Sequence, residues 1–388
     1  MNLQDLEIKV AGLDISNMVL TMTIYETLYG GIKGSFIVKD NINFYDTFIG
    51  HVQPSIEIRF KYLDVSCWQE FIGDGLTNMR VDKLGKEYVI HFISFAKVNL
   101  EVEKLSLVYS GPSHTILKAM WYETHGNHSP LYIDSSAVTK GRYVVPNVQA
   151  KVAISNVMNT AYDNENTAFC LYQRLWDRRG SSRLSSFDFM NKNYFYDKEL
   201  IGTNYMGSLF TITNRMVGAT DEDDGLSVLA TIGSSIDFKL EEFQKNFHKK
   251  MAAGFWGSKL SHVHLDETKH EDIPAAEISE IQTQTRFKLS NKLYDDNTKS
   301  IFSTVMDPAA VAAYNAKNRI LQGQYLKVGN MVPIPYLGVG FCVAVNQGGS
   351  NISFSRQDNL YIISNINHKI TLDDGEFNYT QDIGLIRE

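Results

Sequence analysis

Two histidines, His262 and His264, stand one residue apart in the stretch HVHLDETKH (262–270), with Asp266, Glu267 and His270 close behind. In an extended chain, side chains two residues apart lie on one face about 7 Å from each other. At that spacing two imidazoles can share a zinc ion, but a zinc site needs at least a third protein ligand, and none follows at a defined spacing. A polar loop or an exposed edge strand is the simpler reading.

The other tempting stretches read in the same way. DEDDG (221–225) gathers carboxylates of the kind calcium favours, yet it lacks the twelve-residue frame and closing glutamate of an EF-hand. It reads as the solvated tip of a hairpin before Gly225. GGIKG (30–34) and GVG (338–340) follow strand-like text and open no helix, so they lack the helix N-terminus that holds a phosphate. They read as turn glycines.

No G-x-S-x-G elbow or comparable nucleophile motif occurs. His368, in ISNINHKIT (363–371), lies inside a clear strand pattern with Ile366 and Ile370 on its own face. With no acid or nucleophile partner evident in the sequence, it reads as a packed or interface histidine and not as a base. The expectation is no catalytic residue, no cofactor-binding residue and no metal ligand, and the many Tyr and Phe residues read as core and interface anchors.

Composition narrows the class. A chain of 388 residues exceeds one ordinary domain, and an apolar content of 44% can fill several cores. The net charge of −7 opposes stable binding to a nucleic acid backbone. Cys67, Cys170 and Cys342 are far apart and odd in number, which points to a reducing compartment and not to a disulfide framework. The N-terminal text shows no signal peptide, and the longest apolar run, 331–345, is broken by Pro333 and Pro335 and is too short for a membrane helix. A soluble protein made in a cytoplasm is expected.

The elements that must position these residues are mostly strands. LTMTIYETLYGGIKGSFIVKD (20–40) alternates apolar and polar residues around a glycine cluster, which predicts a hairpin with Leu20, Met22 and Ile24 on one face and Phe36 and Val38 answering them. Strand-like text continues through SIEIRF (55–60) and EYVIHFISF (87–95). A helix is predicted from His114, with Ile116, Leu117, Met120 and Trp121 on one face and Ser113 as its cap. A second, with Ile154, Val157, Met158 and Ala161 in a stripe, follows Asn147, and AFCLYQRLW (168–176) reads as a strand.

Parts of the β text recur in order. LTMT (20–23) resembles FTIT (210–213), SIEIRF (55–60) resembles MVPIPY (331–336), and residues 71–90 resemble 361–379 with Gly85 against Gly375. The expected fold is mainly β with α+β parts: two similar antiparallel β-barrel domains, an α+β domain between them and a smaller α+β insertion in the second barrel. The expected boundaries are 1–100 for the first barrel, 101–204 for the α+β domain, 205–237 with 324–388 for the second barrel, and 238–323 for the insertion. Within the insertion AEISEIQTQTRFKL reads as strand and DPAAVAAYNAKNRIL (307–321) as a helix opening at Pro308.

That layout, together with LTM and LYG in residues 20–30, VPN at 145–147, LKVGNMV at 326–332 and the closing YIISNINHKIT…FNYTQDIGLIRE, resembles the baseplate central hub proteins of T-even-type contractile-tail phages, relatives of secretion-system spike-base proteins. The resemblance implies a non-enzymatic virion protein of the tail baseplate, synthesised in the host cytoplasm. It further implies a homotrimer whose six similar barrels form a pseudo-six-fold ring. Its partners would be the central spike protein of tail-lysozyme type and the tail tube or tube-initiator baseplate proteins. DNA would be in transient passage only, and there would be no membrane insertion. The alternatives are a hub of a related contractile injection or secretion system, or a glycan-binding module or hydrolase with a site near 262–270.

Overall fold

A computed structural model describes residues 4–28, 30–49, 54–62, 65–82, 85–127, 129–134, 141–159, 161–162, 169–176, 182–186, 211–213, 237–241, 257–264, 269–277, 285–290, 324–331, 333–334, 337–346, 360–373 and 375–387. The fold is mainly β. The first half contributes strands β1 (Gln4–Val10), β2 (Val19–Thr27), β3 (Lys33–Asp40), β4 (Ser55–Tyr62), β5 (Val65–Asp82) and β6 (Gly85–Ser94), with a short helix α1 (Phe44–Ile49).

β2 and β3 form the hairpin that the alternation predicts, antiparallel with Met22 opposite Phe36. Met22, Ile24, Phe36 and Val38 are buried, but a register shift between Val19 and Thr21 puts Val19 inside in place of the expected Leu20. Gly34 sits within β3, opposite Ile24, where a Cβ would collide with the Phe92 ring and the Thr23 carbonyl. Gly34, read from the sequence as a turn glycine, has no positive φ, so it is close packing and not turn geometry that requires glycine there.

The middle of the chain holds α2 (Phe95–Val102), α3 (Ser113–His125), α4 (Ala150–Met158) and strands β7 (Phe169–Gln173) and β8 (Ser182–Ser186). The predicted apolar faces form a core of their own around Trp121, Met120, Ile116, Ile154 and Val157. Ser113 is the first helical residue and not the cap. Pro112 holds the cap position without a side-chain bond, since its fixed backbone suits a helix start.

The second half supplies β9 (Thr211–Thr213), β10 (Asp237–Glu241), β11 (Gly257–His264), β12 (Lys269–Glu277), β13 (Thr285–Ser290), β14 (Gln324–Met331), β15 (Cys342–Asn346), β16 (Leu360–Asp373) and β17 (Glu376–Arg387). β11 lies at the centre of a separate three-stranded sheet with β12 and β13.

The two halves join in one sheet of 13 strands, counting the two-residue strand Leu13–Asp14. Within it the first half runs β1–β4–β5–β6–β3–β2, and the second half runs β9–β15–β16–β17–β14–β10. Numbered along the chain within each half, these are the same spatial order. Among the described residues the repeat is therefore one of topology, departing where β9 pairs β15 in parallel while β1 pairs β4 antiparallel. Residues 71–90 and 361–379 do fall on corresponding long hairpins, β5–β6 and β16–β17.

The other two sequence matches are displaced. By strand order the counterpart of β2 is β10, not 210–213, and the counterpart of β4 is β15, not 331–336, where Pro333 and Ile334 lie outside any strand. Short alternating strands look alike, so pattern alone slipped by one element. Residues 28–32 separate β2 from β3 along the chain, and residues 242–323 separate their counterparts β10 and β14.

Candidate functional site

The two half-sheets meet where β16 pairs β2, from Asn365 opposite Thr27 to Thr371 opposite Thr21. On the inner side of this seam lies a chain of polar side chains that solvent does not reach. Glu26 on β2 and His368 on β16 are both 0% exposed, and Glu26 Oε1 lies 2.8 Å from His368 Nε2. His368 Nδ1 is 2.7 Å from the Tyr379 hydroxyl on β17, and the Gln381 amide donates to that hydroxyl at 3.3 Å.

The seam also ties down two crossing segments. Glu26 accepts the backbone N–H of Leu175 at 2.9 Å and that of Val339 at 3.4 Å, and Gln381 Oε1 accepts the Ile334 N–H at 3.1 Å. One proton placement satisfies the whole set: His368 donates from Nε2 to Glu26, Nδ1 accepts the Tyr379 O–H, and Tyr379 accepts from Gln381. Burial pushes the Tyr379 hydroxyl well above its ordinary range, so it remains a donor at physiological pH.

Segment 173–176, which leaves β7, works as a strap across this junction. Gln173 Oε1 accepts the Ile32 N–H at 3.1 Å, and the Leu175 carbonyl accepts from Gln69 Nε2 at 2.6 Å. Trp176 packs edge-on against Phe60, with ring centroids 5.4 Å apart. Arg174 is buried with its guanidinium over the Phe341 ring at 4.9 Å, and a Cβ on Gly338 would run into its side chain. Gly338 is thus a close-approach glycine, whereas Gly30 and Gly340, with φ of 114° and 85°, are the turn glycines expected.

His368 is packed, as its strand context implied. It has an acid partner after all: Glu26 lies 342 positions away along the chain, beyond the reach of any spacing rule. Glu, His and Tyr in line resemble a proton relay, but all three are sealed from solvent and cannot touch a substrate. Their chemistry here is hydrogen bonding that fixes the junction.

The 262–270 stretch is divided between β11 and β12, antiparallel, with His262 opposite Glu271 and His264 opposite Lys269. β11 has a partner on both sides, which replaces the expected loop or edge strand by a central one. Asp266 and Glu267, the DEDDG turn and the helix expected at 307–321 lie outside the described residues. Among the described residues no three His, Cys, Asp or Glu side chains cluster as metal ligands, and no helix is long and apolar enough to cross a membrane. Cys67 and Cys170 are buried free thiols. A cleft of about 320 Å³ opens between Gly30–Gly31 and helices α2 and α4, lined by Leu100, Ile154, Met158 and Leu171 with Lys97 and Lys151 among its charged residues.

No family model and no curated protein sequence matches the chain. Solved structures do. The fold is that of a class of tail proteins. The chain is similar to a tail protein from Neisseria meningitidis, at 10% identity and a TM-score of 0.54, over 100% of this chain and 97% of that one. It is similar to the 43 kDa tail protein of prophage MuSo2 from Shewanella oneidensis, at 9% identity and a TM-score of 0.55, over 99% and 98%. It is also similar to the Escherichia coli c3393 protein, a type VI secretion system component described as structurally similar to the T4 tail proteins gp27 and gp5. That match has 9% identity and a TM-score of 0.52, over 98% of this chain and 77% of that one.

Proposed function

We propose that the protein is a structural hub of a phage tail baseplate, three copies of which form a ring with six similar wall segments between the tail tube and the trimeric central spike. The observation that carries this reading is the twofold occurrence of one six-strand order within a single chain. A trimer of such chains has six similar units around one axis. It can therefore seat a six-fold tube on one side and a three-fold spike on the other.

The four-unit division, with barrels at 1–100 and at 205–237 plus 324–388, an α+β unit at 101–204 and an insertion at 238–323, belongs to this proposal. The net charge of −7 suits a conduit through which DNA slides without adhering. The Glu26–His368–Tyr379 chain is read as architecture, and cell-wall lysis is left to the spike partner. Likeness to a type VI secretion component favours a second reading, in which the same ring forms the spike base of a related contractile secretion system.

Electron-microscopy class averages of the purified protein, alone and mixed with its spike, test the proposal. A three-fold particle with six wall lobes is expected. Particles without rotational symmetry in both samples would contradict it.

A further inference from the structure

No residue of the Glu26–His368–Tyr379 chain lines the cleft of about 320 Å³ between Gly30–Gly31 and helices α2 and α4. Its floor is apolar, made by Leu100 of α2, Ile154 and Met158 of α4, and Leu171 of β7. That volume is at the low end of the ~300–1,000 Å³ of small-molecule sites, so it holds one or two apolar side chains and not a cofactor.

The charged residues of the cleft are Lys97, Lys151 and Glu101. Lys151 Nζ and Glu101 Oε1 are 3.2 Å apart and offset each other. Lys97 has no carboxylate partner among the described residues, which leaves one uncompensated positive charge beside the floor. Gly31 lies against the stem of Lys97, because a Cβ built on it would come within 2.8 Å of Lys97 Cβ. Neither the N–H nor the carbonyl of Gly31 is hydrogen-bonded to another described residue. An ammonium, a backbone donor and a backbone acceptor thus stand together at the edge of an apolar surface.

We infer that this cleft binds the carboxyl-terminal residue of another protein chain, its apolar side chain on the floor and its terminal carboxylate at Lys97 and the Gly31 N–H. One net positive charge matches one carboxylate and falls short of a phosphate monoester, which carries about −1.5 to −2 at pH 7. In the last residue of a chain an anion and an apolar side chain leave the same carbon, as a cation beside an apolar floor requires, and capture of a chain end by backbone groups is a recurring recognition mode. The backbone N–H of that residue supplies a donor for the Gly31 carbonyl, which a free fatty acid lacks. The site is complete within one chain, so it goes beyond the proposed ring and does not depend on it.

The test is a fluorescence-anisotropy titration of the whole protein against labelled peptides. The probes are Gly-Ser-Gly-Ser-Leu-Leu with a free carboxylate, the same peptide as its amide, and a control ending in Ser-Ser, with decanoate as a competitor. Saturable binding of the free-carboxylate Leu-Leu peptide below about 1 mM is expected. The amide should bind about tenfold more weakly or worse, as when a charge-assisted hydrogen bond is lost, and the Ser-Ser peptide should lose as much through the missing apolar contact. Lys97→Gln should match the loss seen with the amide. Ser155→Trp, at a lining position on α4, should abolish binding, whereas Lys118→Gln removes a charge that does not line the cleft and should leave it unchanged. The peptide comparisons use the parent protein and decide the matter even where a variant fails to fold. No saturable binding up to about 1 mM, equal binding of the amide, or a folded Lys97→Gln variant that binds undiminished would overturn the inference. Binding of decanoate without binding of any peptide overturns it too, in favour of a fatty-acid site.

Discussion

Glu26 and His368 stand 342 positions apart in sequence and 2.8 Å apart in space, with neither side chain exposed. The pair clamps β2 to β16 and so fuses the two topological repeats into one sheet. Removing one member of a buried ionisable pair leaves the other without its partner in a medium that solvates it poorly, at a cost of about 3–5 kcal/mol. Glu26→Leu and His368→Leu should each lower stability by that order. The double variant should lose less than the sum by at least ~1 kcal/mol, since no orphaned partner remains. Denaturant unfolding of the four proteins measures the coupling, and strict additivity would contradict the clamp.

Asp40 gives a pH-dependent contribution of known sign. Its carboxylate accepts the backbone N–H groups of Ile42, Phe44 and Tyr45 at 3.1, 2.8 and 2.7 Å, fixing the start of α1. Burial acts to raise its pKa, but these three bonds and the Tyr88 hydroxyl together hold it below the usual carboxylate value. A lowered folded pKa contributes stability that is present above the unfolded value of about 3.9 and is lost as pH falls through the folded one. Asp40→Ala should therefore cost about 1–2 kcal/mol at neutral pH. The difference from the parent protein should shrink below about pH 4. A gap that does not change with pH would refute the assignment.

Gly34→Ala tests close packing between β3 and β6. The added methyl meets the Phe92 ring and the Thr23 carbonyl, neither of which can withdraw from a paired sheet. A loss of about 1–3 kcal/mol is expected in chemical denaturation. Gly12→Ala serves as the comparison, because nothing lies within 4 Å of its Cβ. Its positive φ of 82° gives it a backbone penalty alone, of about 1 kcal/mol.

The place of the insertion in the strand order yields a deletion. Replacing residues 242–323 by a copy of the turn Leu28–Ile32 should leave β10 and β14 joined as β2 and β3 are, because the two pairs occupy equivalent positions. The shortened protein should keep its β-type circular dichroism and unfold in a cooperative transition. A disordered product would show that 242–323 helps to hold the large sheet together.

The strands themselves were legible. Met22, Ile24, Phe36 and Val38 alternate because one face of the hairpin is buried, and period-two patterning reports burial directly. The stripes of α3 and α4 were legible for the same reason at helical spacing. Register was not legible in the same detail: Leu20 gave way to Val19 at a bulge, and the match of 20–23 to 210–213 missed the true counterpart, β10, by one strand. Strand partnership is a long-range property, and alternating Thr and Ile recur in any sheet. The acid partner of His368 was hidden for the same reason, because Glu26 is brought to it only when β16 pairs β2. Of its neighbours, Leu175 and Val339 reach the site through backbone N–H groups, which carry no side-chain signal at all.

The central claim is that two copies of one strand order in each chain make six units around a single axis, and it is tested most directly by the mass of the intact particle in native solution. Native mass spectrometry, with and without the spike protein, should find a species of three chains of 43.9 kDa each. Large obligate interfaces, upward of ~2,000 Å², hold such assemblies together on dilution. A single chain of 43.9 kDa under both conditions would contradict the account.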